Sequence, residues 1–347
     1  MSIGIGIVGC GMIANFHARA IADAEGAHLV GACSRSKEEY EPFAAQHGCK
    51  GFESLEAMLA DDSIQAVSIC TPSGLHMDPA VAAAKAGKHV IVEKPLEITV
   101  ERCDAIINAC EEAGVRLTVA FQSRFHESSR LMKKAVDGGR FGKITMGDAY
   151  VKWYRSQAYY DSGAWRGTWK LDGGGALMNQ AIHSVDLLVW LMGPVKKISA
   201  MTSTLTHERI EVEDVAVATL QFENGALGVI EATTTSYPGA LKRIEISGSE
   251  GSAILEEEDL KAWEFANEDP EDERIRAEMV GKTDSGGGAA DPSAINHDGH
   301  TKIFEEAVKA ITEGRPSVLN GHEGRRSVEV ICAIYESAKT GKIVTLG

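Results

Sequence analysis

Residues 3–14 read Ile3-Gly4-Ile5-Gly6-Ile7-Val8-Gly9-Cys10-Gly11-Met12-Ile13-Ala14. Two glycine patterns overlap here, and their contexts differ. Gly4, Gly6 and Gly9 have the spacing G-x-G-x-x-G, but no strand has room to precede them. Gly9, Gly11 and Ala14 follow the β-branched run Ile3 to Val8 and open a helical stretch. That is the strand–turn–helix setting a dinucleotide site requires. Gly9 permits the tight turn, Gly11 lets a pyrophosphate approach the backbone, and Ala14 lets the helix pack close to the strand. Met12 and Ile13, in the same turn, are counted in that site.

Working outward, short apolar runs alternate with helical stretches as far as about residue 122. Strands are expected at Ile3 to Val8, His28 to Cys33, Ala66 to Cys70, His89 to Val92 and Val115 to Phe121. Helices are expected at Asn15 to Ala24, Ser54 to Leu59 and Met77 to Ala86. Another opens at Thr99 and closes at Gly114, with Val100, Cys103, Ile106, Ile107 and Cys110 on one stripe. Strands separated by crossover helices imply a doubly wound parallel sheet with its ligand at the carboxyl edge. Beyond residue 122 the character changes. Residues 143–153, 195–206, 212–222, 226–235 and 241–247 read as longer alternating strands, with Asn224-Gly225 as a hairpin turn. A strong helix is expected at about 174–192 and another near the C-terminus. Glu268 to Pro292 is acidic, then glycine-rich, and reads as a surface loop or lid. The fold class is therefore α/β: a doubly wound domain over residues 1–122, then an α+β domain with a large, mainly antiparallel open sheet over 123–347. The final segment is expected to pack back on the first domain.

Composition narrows the function classes. The chain has 347 residues, enough for about two domains. Fifty acidic and 35 basic residues leave a net charge of −15, which argues against a nucleic-acid binder. No run approaches the roughly 20 apolar residues of a membrane span. The first residues lack the basic stretch of a signal peptide, so a cytoplasmic protein is expected. The seven cysteines form no C-x-x-C and read as buried, reduced thiols. Histidines show no H-E-x-x-H pattern. His297 and His300 lack a neighbouring cysteine or carboxylate cluster in sequence and read as opening a helix, so no metal site is expected.

Three further signals carry chemistry. The end of the second strand is where NAD users place an acid for the ribose 2′-hydroxyl. Here the chain offers Cys33-Ser34-Arg35-Ser36-Lys37, with no acid until Glu38. A hydroxyl and a guanidinium suit a 2′-phosphate, so NADP(H) is favoured and NAD(H) is the alternative. Glu93-Lys94-Pro95 ends a parallel strand at the edge where the reactive ring of a cofactor lies. A lysine there holds a substrate hydroxyl, takes its proton, or is an ordinary solvated strand-end residue. Finally, Gly173-Gly174-Gly175 precedes a helix on which Asn179, His183 and Asp186 are spaced four and three apart and share a face. The surrounding residues are apolar, and a polar stripe on a buried helix needs partners, either a pocket or internal hydrogen bonds.

The order of glycine loop, Thr71-Pro72-Ser-Gly-Leu-His76, Glu93-Lys94-Pro95, then Gly-Gly-Gly…His183…Asp186 resembles the glucose-fructose oxidoreductase/inositol dehydrogenase (Gfo/Idh/MocA) family. The resemblance extends to Gly321-His-Glu-Gly-Arg and Ala333-Ile-Tyr-Glu-Ser-Ala near the end of the chain. It implies a Rossmann domain joined to an α/β domain that builds homodimers or homotetramers. It further implies hydride transfer between NAD(P) and a sugar, polyol or sugar nucleotide, with Lys94 and His183 flanking the reacting carbinol. Many members have Asp where this chain has Asn179, which raises the weight on Lys94. The cofactor side implied by the resemblance adds Thr71, Pro72, His76, Glu93, Lys94, Gln122 and Arg166 to the glycine loop. Tyr159 to Trp169, with Met178-Asn179-Gln180, looks most like the subgroup that oxidises sugar 3-hydroxyls, including UDP-N-acetylglucosaminuronate 3-dehydrogenase-like enzymes. Tyr154, Tyr160, Trp165, Asn179, Gln180 and His183 are the substrate-side candidates, since aromatic rings suit sugar C–H faces. The aromatics are equally read as a packing cluster. The expected activity is thus an NAD(P)-dependent dehydrogenase of a ring carbinol, with keto-sugar reduction as its reverse. A non-catalytic NAD(P)-binding regulator is the alternative of another class.

Overall fold

Every residue of β1 (Ile3–Val8) is buried, as befits a strand covered on both faces by crossover helices. In the computed structural model, which describes residues 2–281 and 297–347, β1 lies inside a six-stranded parallel sheet. The order is β3 (Lys50–Phe52), β2 (Ala27–Cys33), β1, β4 (Ala66–Ile69), β5 (His89–Val92) and β6 (Leu117–Val119). The chain reverses direction of travel between β1 and β4, and the crevice at their carboxyl ends is the place for a ligand in such sheets. Crossovers are made by α1 (Met12–Asp23), α2 (Lys37–His47), α3 (Leu55–Leu59), α4 (Met77–Lys85) and α5 (Val100–Glu112). Two of these starts carry the caps their sequences announce: Ser54 Oγ accepts from Ala57 N at 3.1 Å and Thr99 Oγ1 from Arg102 N at 3.3 Å. Neither α2 nor β3 is expected from the sequence. α2 holds Pro42 inside a charged stretch, and just Phe43 and Ala44 of it are buried.

The second sheet has eight strands among the described residues. Their order is β13 (Asp259–Phe265), β12 (Gly251–Glu256), β11 (Arg243–Gly248), β7 (Ile144–Lys152), β10 (Leu227–Thr233), β9 (Val215–Phe222), β8 (Val195–Ser203) and β14 (Val344–Thr345). All neighbours are antiparallel except β7 and β10. The β9–β10 hairpin turns at Asn224-Gly225, where Gly225 takes φ +88° and Asn224 Oδ1 accepts from Ala226 N at 2.9 Å. Burial alternates strictly along β9 and β10, so one face is core and the other is open. On the open face Met201 stands directly across from Val217, and Leu227 across from Met146. Helices α6 (Glu127–Asp137), α7 (Gln157–Asp161), α8 (Ile182–Met192) and α9 (Asp272–Met279) belong with this sheet. α9 occupies part of the stretch expected as a loop from Glu268 to Pro292; residues 282–292 of that stretch lie outside the described residues.

The chain divides into two compact units, Met1–Gln122 with Asn296–Val328, and Ser123–Ile295 with Glu329–Gly347. The late contribution to the first unit includes α10 (Asp298–Thr312), which packs on α1 through the buried Ile303, Phe304 and Ala307. His297 and His300 do open this helix. α11 (Gly321–Thr340) follows, and β14 completes the second unit's sheet. All seven cysteines are free. No helix among the described residues is long and apolar enough to cross a membrane.

Candidate active site

At the carboxyl edge of the first unit, the chain leaves β1 through Gly9, whose φ of +90° favours glycine. A Cβ there would stand 3.1 Å from the main chain of Cys70 and Thr71, so the turn presses against the end of β4. Gly11 is the N-cap of α1, and no side chain caps it. A Cβ on Gly11 would meet nothing within 4 Å. The unfilled space and the uncapped N–H groups of Met12 and Ile13 suit a pyrophosphate at the helix start. Gln122 Oε1, at the end of this unit, is buried with no hydrogen-bond partner among the described residues. The residues present therefore fit a dinucleotide.

The end of β2 holds a carboxylate that the reading of Ser34 and Arg35 overlooked. Glu39, in the first turns of α2, accepts from Ser34 Oγ at 2.5 Å and from the Arg35 guanidinium at 2.7 Å. These bonds, Ser34 first, hold Glu39 below the usual carboxylate range. The signal was the i, i+4 spacing from Arg35 to Glu39. His76 differs from its expected role in another way. Its Nδ1 faces Pro95 O at 2.9 Å and its Nε2 faces Thr71 O at 3.0 Å. Both ring nitrogens are thus committed to main chain, and the buried imidazole links the Thr71-Pro72 loop to the Glu93-Lys94-Pro95 loop. Lys94 is half-buried at the end of β5. Its main-chain N–H donates to Glu93 Oε2 at 3.1 Å.

In the second unit, Gly174 and Gly175 are required by close approach, and Gly173 by its φ of +75°. A Cβ on Gly174 would stand 2.0 Å from Tyr335 Oη, and one on Gly175 would stand 1.8 Å from Glu213 O. Glu213 receives the helix that follows: Oε2 accepts from Gly175 N at 3.0 Å, and Oε1 from Leu177 N at 2.8 Å and from the Tyr335 hydroxyl at 3.0 Å. Burial pushes its carboxyl up to about 7, against the pull of those donors. The expected single helix over 174–192 is in fact a π-helical turn, Ala176–Ala181, running into α8. Such widened turns recur at functional sites. Of residues 176–192, just Asn179, His183 and Trp190 keep accessible surface. Asp186 does not belong with them. It is fully buried and takes a bidentate pair from Arg124, at 2.6 and 2.8 Å.

Asn179 begins a chain of polar contacts. Its amide Nδ2 donates to Asp172 Oδ1, and Asp172 Oδ2 accepts from Gly167 N at 2.8 Å. Gln180 Nε2 donates to Asn179 Oδ1 at 2.8 Å and to Tyr159 Oη at 2.9 Å. Arg166 donates to the same phenol oxygen at 2.6 Å and lies over the rings of Tyr159 and Trp165. Burial pushes the Tyr159 phenol up, so it remains a neutral hydroxyl. The chain thus supplies Asn179 with a carboxylate after all, from Asp172. Tyr160, counted on the substrate side, is a core residue instead. It is buried, bonded to Thr234 Oγ1 at 2.9 Å and packed edge-on against His207. In the short helix α7, neighbouring residues point about 100° apart, and Tyr159 is the one that joins the polar chain. Tyr154 packs edge-on against the exposed Tyr237.

Comparison with known proteins supports this assembly of parts. The chain is similar to a solved structure of the WlbA dehydrogenase from Bordetella pertussis in complex with NADH and UDP-GlcNAcA. Identity is 37% and the TM-score 0.89, covering 100% of this chain and 99% of that one. It is 30% identical to levoglucosan dehydrogenase of Pseudarthrobacter phenanthrenivorans over 81% of this chain and 80% of that protein. It is 26% identical to myo-inositol 2-dehydrogenase of Thermotoga maritima over 99% and 98%. The family model described as an oxidoreductase family with an NAD-binding Rossmann fold matches residues 3–121, and that of the GFO/IDH/MocA C-terminal domain matches residues 129–254. Spanning most of the sequence, these two matches make the chain a member of the Gfo/Idh/MocA family of NAD-binding oxidoreductases.

Proposed function

We propose that the chain oxidises a ring hydroxyl, at C3, of a sugar nucleotide of the UDP-N-acetylglucosaminuronate type. The single observation that carries this reading is the polar chain from Asp172 through Asn179 and Gln180 to Tyr159 and Arg166, beside the accessible His183 of an otherwise buried helix. Amide and phenol groups suit sugar hydroxyls, and Arg166 suits a carboxylate or phosphate. Similarity over the full chain to a dehydrogenase solved with UDP-GlcNAcA supports the same class.

The bound nicotinamide supplies the carbon that accepts the hydride. The residues of this chain handle the proton. Oxidising a secondary alcohol releases the hydroxyl proton as the hydride leaves carbon, so a base must stand within hydrogen-bond reach. Lys94 and His183 are the two proton-handling groups in this reading, and Asn179, held by Asp172, orients the hydroxyl. Gly9, Gly11, Met12 and Ile13 hold the pyrophosphate. The enzyme works in the cytoplasm with reduced thiols.

Ser34 and Arg35 carry the preference for NADP(H) expected from the sequence. One observation favours NAD(H) as a second reading: Glu39 already satisfies both groups, so a 2′-phosphate must displace a carboxylate to reach them. The test is a screen of sugars, inositols and sugar nucleotides with both dinucleotides, followed by nicotinamide absorbance. Turnover of UDP-N-acetylglucosaminuronate supports the proposal. Turnover confined to free inositols or unphosphorylated sugars would refute it.

A further inference from the structure

Glu93 stands at the end of β5, directly before Lys94, and is buried. Its Oε1 accepts from His17 Nε2 at 2.7 Å and lies 3.4 Å from His300 Nε2, while Oε2 accepts the main-chain N–H of Lys94 at 3.1 Å. The three residues come from α1, the end of β5 and α10, far apart in sequence. His300, which the sequence leaves without a carboxylate neighbour, therefore has one. On the far side of the His17 ring, Nδ1 lies 2.7 Å from Ser68 Oγ. With Nε2–H donated to Glu93, Nδ1 accepts the Ser68 hydroxyl proton, so the tautomer is set from both sides.

The charge state follows from burial. Desolvation pushes His17 down, against the opposing pull of Glu93, so its imidazole is neutral. Desolvation pushes Glu93 up, but the hydrogen bonds from the two imidazoles outweigh it and hold the carboxyl well below its usual range. An anion thus sits in the interior directly behind Lys94. Stability alone gives no reason for it, since buried ionic groups are often replaceable by apolar ones without loss. His300 Nδ1 deepens the point, being buried with no hydrogen-bond partner among the described residues. Such a nitrogen is kept at a cost to folding. The three donor atoms also have the composition of a metal site. However, 2.7 Å between His17 Nε2 and Glu93 Oε1 is a hydrogen-bond length. Two ligands of one tetrahedral zinc, each at about 2.0 Å from the ion, stand about 3.3 Å apart.

We propose that His17, Glu93 and His300 form a positioning unit for Lys94. The carboxylate clamps the Lys94 main chain, and the two imidazoles clamp the carboxylate, so the lysine leaves the strand in one direction. The inference rests on Lys94 serving the reaction, as proposed above. It is tested in the full chain with Glu93→Gln, Glu93→Ala and His300→Phe, alongside Lys94→Ala. Hydrogen exchange of the Lys94 amide is read in the protein alone, and kcat and dinucleotide KM with UDP-N-acetylglucosaminuronate or whichever screened compound turns over. Glu93→Ala and His300→Phe are expected to speed exchange of that amide at least about tenfold. They are expected to lower kcat about 10–10²-fold, the scale for a slightly misplaced group. Dinucleotide KM should be nearly unchanged, because the Glu93 carboxylate, counted on the cofactor side from the sequence, is buried and bonded to His17 and the Lys94 N–H instead. Glu93→Gln, which keeps an oxygen for the Lys94 N–H, should fall between them and wild type. If Glu93→Ala does not fold, the other two variants decide. Wild-type exchange and kcat in His300→Phe and Glu93→Gln would overturn the unit, as would one equivalent of metal found by elemental analysis. Wild-type turnover in Lys94→Ala would instead refute the catalytic reading of Lys94, and amide exchange would still judge the clamp.

Discussion

Ser34 and Arg35 are contested by two anions, the Glu39 carboxylate that holds them here and the 2′-phosphate that NADP(H) brings. Replacing Glu39 with Gln removes the competitor, so fluorescence titration should show tighter NADPH binding with little change for NADH. Arg35→Asp should move preference the other way by about 1–3 kcal/mol, the size of a charge-assisted contact. An Arg35→Asp protein with an unchanged ratio of the two affinities would remove Arg35 from the site. At the reacting centre, Lys94→Ala and His183→Ala should each lower turnover about 10²–10⁴-fold, the usual scale for an acid–base group. Neither residue belongs to the phosphate loop, so dinucleotide affinity should hold. Near wild-type rates in both variants would mean the proton is handled elsewhere. The glycine turn after β1, the strand-end place of Lys94 and the accessible places of Asn179 and His183 on a buried helix are legible in the sequence because each belongs to a local motif with a physical requirement. Glu39, Asp172, Tyr159, His17 and Glu213 act through contacts that no local spacing announces, apart from the four-residue step from Arg35 to Glu39.

Glu213 is the pivot of the element that carries Asn179 and His183. Its carboxyl is pushed up to about 7 from an ordinary 4.5, so between those values the folded chain binds a proton that the unfolded chain has lost. Stability due to this group is therefore complete below about pH 4.5 and is lost as pH rises through 7. Between pH 5 and 8 the loss should be about 2–3 kcal/mol, at 1.36 kcal/mol per unit. Urea unfolding of wild type and Glu213→Gln across that range measures it: the slope attributable to Glu213 should vanish in the variant. Parallel slopes would show that Glu213 ionises normally. Elements with a strong period are well read from sequence, β1 and β5 to the residue, and α5 with its Thr99 cap. Those that fail do so for identifiable reasons. α2 presents little apolar surface and contains Pro42. β12 opens on Gly251-Ser252 and ends on Glu256, and β13 exposes Lys261 and Glu264, so neither shows a clean apolar alternation. The π-helical turn at Ala176–Ala181 is imposed by Glu213 and the glycine contacts, not by its own propensity.

The open face of the eight-stranded sheet leaves apolar pairs accessible, Met201 across from Val217 and Leu227 across from Met146, with Met201 81% exposed. An antiparallel sheet can face water on one side, but a stripe of paired apolar residues is better covered. We expect the chain to assemble through this face as a dimer or tetramer in light scattering. A clean monomer of 37.1 kDa at micromolar concentration would contradict that. The division of the chain carries a different consequence, one of timing. The first unit draws α10 from residues 298–312, and the main chain of β6 bonds across to Leu319 O, at 2.8 Å from Val119 N. During synthesis its six strands emerge first and wait through seven of the eight strands of the second sheet for that cover. Until α10 arrives, the apolar surface of α1 that receives Ile303 and Phe304 stays bare, a patch of the kind chaperones cover on a growing chain.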